Sequence, residues 1–98
     1  MDREQVIATL RAHEPELHQR GVLHVGLFGS VAHGEAAAGS DIDILIALEP
    51  DAPIGVFEYV AITQYLADLF PTHVDVANRD RLKALVRPSV ERDAVYTF

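Results

Sequence analysis

Strict alternation of apolar and polar positions marks the clearest element of this chain. From Asp41 to Leu48, Ile42, Ile44, Ile46 and Leu48 fall on one side, while Asp41, Asp43, Leu45 and Ala47 fall on the other. This two-residue period is that of a strand. A rise of about 3.3 Å per residue separates the Cα atoms of Asp41 and Asp43 by about 6.6 Å on one face. Leu45 and Ala47 continue that face inward, so the two acids stand at the N-terminal end of the strand and outside the core.

The remaining pattern alternates helices with strands. Asp2 and Gln5 have capping-box spacing, and Val6, Ile7 and Leu10 recur at helical intervals, predicting a helix from Arg3 to about Glu14 that Pro15 bends or restarts. Arg20-Gly21 is a helix stop, and Val22 to Phe28 reads as a strand that delivers Gly29-Ser30 at its end. A short helix is predicted over Val31 to Glu35. After the turn-rich segment Glu49 to Pro53, the longest helix is predicted over Ile54 to Phe70, with Val56, Phe57, Val60, Ala61, Leu66 and Leu69 on its apolar side and Pro71 beyond its end. A strand over His73 to Ala77 follows. Asn78 or Asp80 then caps a short helix through Leu85, another helix covers Ser89 to Arg92, and Val95 to Phe98 closes the chain as an edge strand. No repeat, low-complexity tract or interdomain linker interrupts this order, so 1–98 is expected to be a single domain of the α/β (α+β) class with a mixed central β-sheet flanked by helices.

The candidate chemistry lies between the first two strands. Gly29-Ser30 is a small turn whose backbone N–H groups can approach phosphate, and a helix starting at Val31 would add the positive end of its dipole. Ten residues further on come the two carboxylates Asp41 and Asp43. Oxygen donors of this kind suit magnesium, which keeps several waters and takes one or two carboxylates together with substrate phosphates. Either half alone is a weak signal. Gly and Ser are favoured in turns generally, and Asp-x-Asp is commonly an exposed strand end that also occurs in unrelated glycosyltransferases. Joined at this spacing and followed by an apolar strand, the two halves point to nucleotide-and-metal chemistry.

The pattern Gly29-Ser30, ten residues, Asp41-x-Asp43 resembles the signature of the DNA polymerase β-type nucleotidyltransferase superfamily. The short chain and Gly34-Glu35 make it similar to the minimal nucleotidyltransferase (MNT) branch, the antitoxin-like partners of HEPN-domain toxins. The resemblance covers roughly residues 20 to 98 and implies a nucleotidyltransferase fold. It also implies that Gly29 and Ser30 grip the nucleotide's phosphates. Asp41 and Asp43, with a third carboxylate from a neighbouring strand, would hold two magnesium ions and carry catalysis. Asp75, in the alternating segment His-Val-Asp-Val-Ala, is the candidate third acid. The reaction so implied is transfer of AMP from ATP to a tyrosine hydroxyl of a HEPN toxin. Two other readings are compatible with the residues: an antitoxin acting by binding alone, and a small-molecule transferase of the antibiotic-modifying kind. One departure stands out. Relatives often carry Arg where this chain has His33, which is mostly neutral near pH 7 and makes single hydrogen bonds where a guanidinium would fork onto phosphate.

Two further features have plainer explanations. Arg11 and His18 match the Arg-x4-6-His spacing of HEPN ribonucleases, but Pro15 interrupts that helix and a long four-helix bundle does not fit in this length. Arg79, Arg81, Lys83, Arg87 and Arg92 are the only concentrated positive charge; the plain reading is a solvated helical face, and the functional one is that one or two of them, Lys83 for instance, neutralise triphosphate or meet the partner.

Composition narrows the setting. Fifteen acidic against eight basic side chains give a net charge of −7, which argues against non-specific nucleic-acid binding and suits a basic protein partner. With 49% apolar and 23% charged residues the chain is ordinary for a globular protein. It has no cysteine, no apolar run near the ~20 residues of a membrane helix and no signal-peptide core, so a cytoplasmic protein is expected.

Overall fold

A computed structural model of the chain describes residues 2–29, 41–82 and 87–98. Helix α1 (Arg3–Ala12) opens with the predicted capping box: Gln5 N–H donates to Asp2 Oδ1 at 2.9 Å and Asp2 N–H to Gln5 Oε1 at 3.0 Å. It ends two residues before the expected Glu14. A separate helix α2 (Glu14–Gln19) begins there, with Pro15 in its first turn, where a missing N–H is harmless. Gly21 then takes φ of 90°, a left-handed conformation that only glycine adopts readily. The chain reverses there into β1 (Val22–Phe28).

Strand β2 (Ile42–Leu48) lies antiparallel to β1, with Phe28 opposite Asp43 and Leu27 opposite Ile44. The crossover helix α3 (Val56–Asp68) carries the chain back to β3 (Val74–Asn78), which runs parallel to β2 with Ile42 beside Val74 and Asp43 beside Asp75. A short 3-10 turn (Arg79–Arg81) is capped by Asn78, whose side chain accepts from Asp80 N–H at 3.0 Å. Helix α4 (Arg87–Asp93) and strand β4 (Val95–Tyr96) close the chain, β4 pairing antiparallel with β1. The sheet order is β3-β2-β1-β4, a mixed sheet as expected, with β4 at one edge.

The alternation of β2 separates the two faces of the sheet. Ile42, Ile44 and Ile46 join Val25 and Leu27 of β1 against Val6, Leu10, Leu17, Ile62, Leu66 and Phe70, so α1, α2 and α3 cover one face. On the other face Leu45 and Ala47 are buried further along the strand, while Asp43 is half-buried and Asp41 exposed at its beginning. Burial thus fades toward the end of the sheet where the acids stand.

The long helix departs from its prediction in span and in facing. Its first turn starts at Val56 because Gly55 is extended, and Ile54 packs its side chain over Gly21. Val56, Phe57 and Val60, expected in the apolar side, are 76%, 87% and 55% exposed, and Ala61 is exposed as well. The helix carries apolar residues around most of its circumference. The stripe that meets the core is Tyr59, Ile62 and Leu66, with Leu69 half-buried and Phe70 beyond its end. The helix predicted over Val31 to Glu35 falls on residues outside those described; of the one predicted through Leu85, the described part is the 3-10 turn capped by Asn78, after which Leu82 is extended.

Candidate functional site

The site is assembled at one end of the sheet by strand register. Asp41 and Asp43 lead into β2 on the face away from the helices. Asp75 of β3 is the direct neighbour of Asp43, and the carbonyl of His73 accepts the Ile42 N–H at 2.9 Å. Residues two apart in extended chain share a face, so His73, just before β3, and Asp75 within it stand beside Asp41, just before β2, and Asp43 within it as a two-by-two patch. Asp41, His73 and Asp75 are exposed, and one ligand atom from each lies within 4.8 Å of the others.

Charge is concentrated in this patch. Burial pushes the Asp43 carboxyl above the usual carboxylate range, and the negative charges of Asp75 and Asp41 push it the same way, while His73 opposes them. His73 donates from Nε2 to Asp75 Oδ1 at 2.9 Å. That hydrogen bond, followed by the charges of Asp75 and Asp41, raises the imidazole above its ordinary value. Three carboxylates beside one imidazole leave excess negative charge, which a cation would relieve. The donor set of carboxylate oxygens on an exposed, solvent-reachable edge fits a divalent metal.

Gly29 borders the patch from β1. Its φ is 73°, in the left-handed region, and a Cβ built on it would collide with Asp43 Oδ2. The glycine therefore has two local reasons besides any approach by phosphate: backbone conformation and room for the Asp43 carboxylate. Ser30, His33, Gly34 and Glu35 lie outside the described residues.

Of the predicted acids, Asp41 and Asp75 form the tightest group, and Asp43 sits beside them, turned against Gly29. His73 is the member that reading the sequence overlooked, although its place two residues before Asp75 in an alternating segment already set it on the same face. Two members of the basic cluster, Arg79 and Arg87, are paired with neighbouring acids. Arg87 lies 3.1 Å from Glu91 and 3.6 Å from Asp80, and Arg79 lies 3.8 Å from Glu91, while Lys83 is outside the described residues. Arg11 and His18 are likewise engaged, Arg11 with the Thr97 carbonyl and His18 with Glu14 and the Val22 carbonyl. A cavity of about 580 Å³ opens at the opposite end of the sheet, around Arg20, Gly21, Val22, Glu49 and Ile54, and contains none of the predicted site residues. No helix among the described residues is long and apolar enough to cross a membrane.

Comparison with known proteins agrees with this geometry. The family model described as "Nucleotidyltransferase domain" matches residues 10–97. Over 94 residues the chain is 36% identical to the protein adenylyltransferase MntA of Thermococcus cleftensis, covering 95% of this chain and 93% of that protein. A solved structure provisionally described as a minimal nucleotidyltransferase superposes with a TM-score of 0.80 at 32% identity, covering 97% of this chain and 95% of the other. At the level of fold alone, the chain also resembles a chain of a solved complex of tri-AMPylated HEPN toxin with MNT antitoxin from Shewanella oneidensis. That match has a TM-score of 0.59 and 19% identity, covering 98% of this chain and 68% of the other.

Proposed function

The chain belongs to the nucleotidyltransferase domain family, and we propose that it transfers AMP from ATP to a tyrosine hydroxyl of a HEPN-type toxin, acting as the toxin's antitoxin. The observation that carries this reading is the juxtaposition of Asp41, Asp43 and Asp75 on neighbouring strands beside the Gly29 turn, at a solvent-reachable end of the sheet. The adenylyltransferase name of the 36% identical relative supports the nucleotide and the protein acceptor. The AMPylated toxin in the Shewanella complex supports the partner.

In this reading Asp41, Asp43 and Asp75 hold divalent metal, with magnesium the ion and two the number. When bound, the metal neutralises triphosphate charge and stabilises the attacking and leaving oxygens. Gly29 and Ser30 receive the phosphates through backbone N–H groups and the serine hydroxyl. The tyrosine oxygen attacks the α-phosphorus, the bond from that phosphorus to the bridging oxygen breaks, and pyrophosphate leaves with the electron pair. Asp75 takes the proton of the attacking hydroxyl. The net charge of −7 is repulsive toward nucleic acid and complementary to a basic toxin surface. The reaction belongs to the cytoplasm, where ATP is supplied.

The test is transfer of label from α-labelled ATP to a co-purified partner. Wild type transfers label in the presence of magnesium, and Asp41→Asn or Asp75→Asn each reduce transfer by two orders of magnitude or more. Undiminished transfer by both variants would refute the assignment of these acids.

A further inference from the structure

We propose that His73 is a ligand of the metal held at this site, so that the site is a mixed nitrogen and oxygen centre in place of an all-carboxylate one. The proposal rests on the metal-dependent reading given above and extends it to a residue outside the carboxylate set.

Three observations carry it. His73 Nε2 is 2.9 Å from Asp75 Oδ1. Two adjacent ligands on an octahedral ion with bonds of about 2.1 Å are about 3.0 Å apart, so the pair has the spacing of neighbouring ligands once the metal takes the place of the Nε2 proton, which is released to solvent. A ligand atom of Asp41 completes the group, all three lying within 4.8 Å of one another, while Asp43 is turned toward Gly29 and is not part of that tight group. The side chains of His73 and Asp75 are 65% and 58% exposed, so a hydrated ion reaches them without opening the fold. The strands supply the placement. The His73 carbonyl is tied to Ile42 N–H, and Asp75 is in register with Asp43, so the imidazole is delivered to the carboxylate patch by backbone pairing.

The chemistry has a consequence for which ion binds. Carboxylate and water suit magnesium, whereas an imidazole nitrogen favours ions later in the first transition series. Relative to an all-carboxylate site, His73 therefore raises the affinity for cobalt, nickel and zinc more than that for magnesium or manganese. The alternative role, a hydrogen-bond donor that merely orients Asp75, predicts no nitrogen on the metal.

Pulsed EPR of bound Mn²⁺ separates these. The expected result is ¹⁴N coupling to Mn²⁺ in the wild-type protein and its loss in His73→Gln, with Mn²⁺ still bound through the carboxylates and at least tenfold weaker. His73→Asn serves as a second variant, and far-UV circular dichroism confirms that each is folded, as expected for an exposed side chain. Bound Mn²⁺ without ¹⁴N coupling, or coupling that persists in both variants, would overturn the ligand role of His73 and leave the carboxylate site standing. Failure of the wild-type protein to bind Mn²⁺ at all would overturn both the ligand role and the metal-dependent reading beneath it.

Discussion

Gly29 and Asp43 occupy one another's space: the carboxylate of Asp43 lies where a Cβ on residue 29 would be. The turn glycine of β1 and the second acid of β2 thus form one structural unit, built by the pairing of Phe28 with Asp43. Replacing Gly29 disturbs the acid even before any nucleotide is present.

Gly29→Ala is accordingly expected to lower stability in two ways. The left-handed φ of 73° costs a side-chain-bearing residue about 1–2 kcal/mol, and the methyl group displaces the carboxylate. In a domain of this size each kcal/mol corresponds to roughly 4–8 °C in Tm. The double variant Gly29→Ala/Asp43→Ala removes the collision and should recover part of the loss. Purely additive Tm changes would show that the two residues are not coupled.

Asp43→Asn should stabilise the metal-free protein while abolishing transfer. Burial and the neighbouring Asp75 and Asp41 raise the folded-state pKa of Asp43 above its unfolded value. The folded state therefore binds more protons in that interval, and its stability falls as pH rises through it. At neutral pH, where the charged form is held against this penalty, the asparagine variant is expected to melt a few degrees higher in chelator. Below the ordinary carboxylate range Asp43 is neutral in both states and the two proteins should converge. A wild-type protein equal to or more stable than Asp43→Asn at pH 7 without metal would contradict the electrostatic account.

The two apolar stripes of α3 make opposite predictions. Ile62→Ala and Leu66→Ala open cavities at buried positions and should each cost about 2–5 kcal/mol. Val56→Ser, Phe57→Ser and Val60→Ser remove exposed side chains and should each change stability by less than about 1 kcal/mol. Chemical denaturation of the five variants checks this, and a large loss on the Val56 side would place that stripe in the core.

Arg87→Ala should leave nucleotide transfer within a factor of two or so of wild type, because its guanidinium is engaged by Glu91 and Asp80. The lost ion pairs are half-exposed and should cost no more than about 1 kcal/mol. A collapse of nucleotide affinity in this variant, measured by calorimetry, would restore the triphosphate role for the basic cluster.

Much of the site was legible because strands report faces directly. The period of two in Asp41–Leu48 set both acids on one side with Leu45 and Ala47 behind them, and the structure buries those two and leaves Asp41 exposed. The capping box at Asp2 and Gln5 and the break at Pro15 were equally local and are present. Helix α3 was harder, since Val56, Phe57 and Val60 make as good an apolar stripe as Tyr59, Ile62 and Leu66. Only the packing of the crossover onto β2 chooses between them. His73 escaped attention for a related reason. Its distance from Asp75 follows from its own strand, but its meeting with Asp41 depends on a parallel register between strands separated by some thirty residues.

The central claim is chemical modification of a partner, and the intact mass of that partner tests it most directly. Co-expressed with wild-type protein, the HEPN-type toxin is predicted to gain mass in increments of one AMP on tyrosine and to lose its toxicity. Groups that act as one unit are non-additive, so Asp41→Asn, Asp43→Asn and the triple variant with Asp75→Asn should each leave the toxin unmodified and active. Neutralisation of a toxin that carries no added mass, persisting in the triple variant, would contradict the account and make this chain an antitoxin by binding alone.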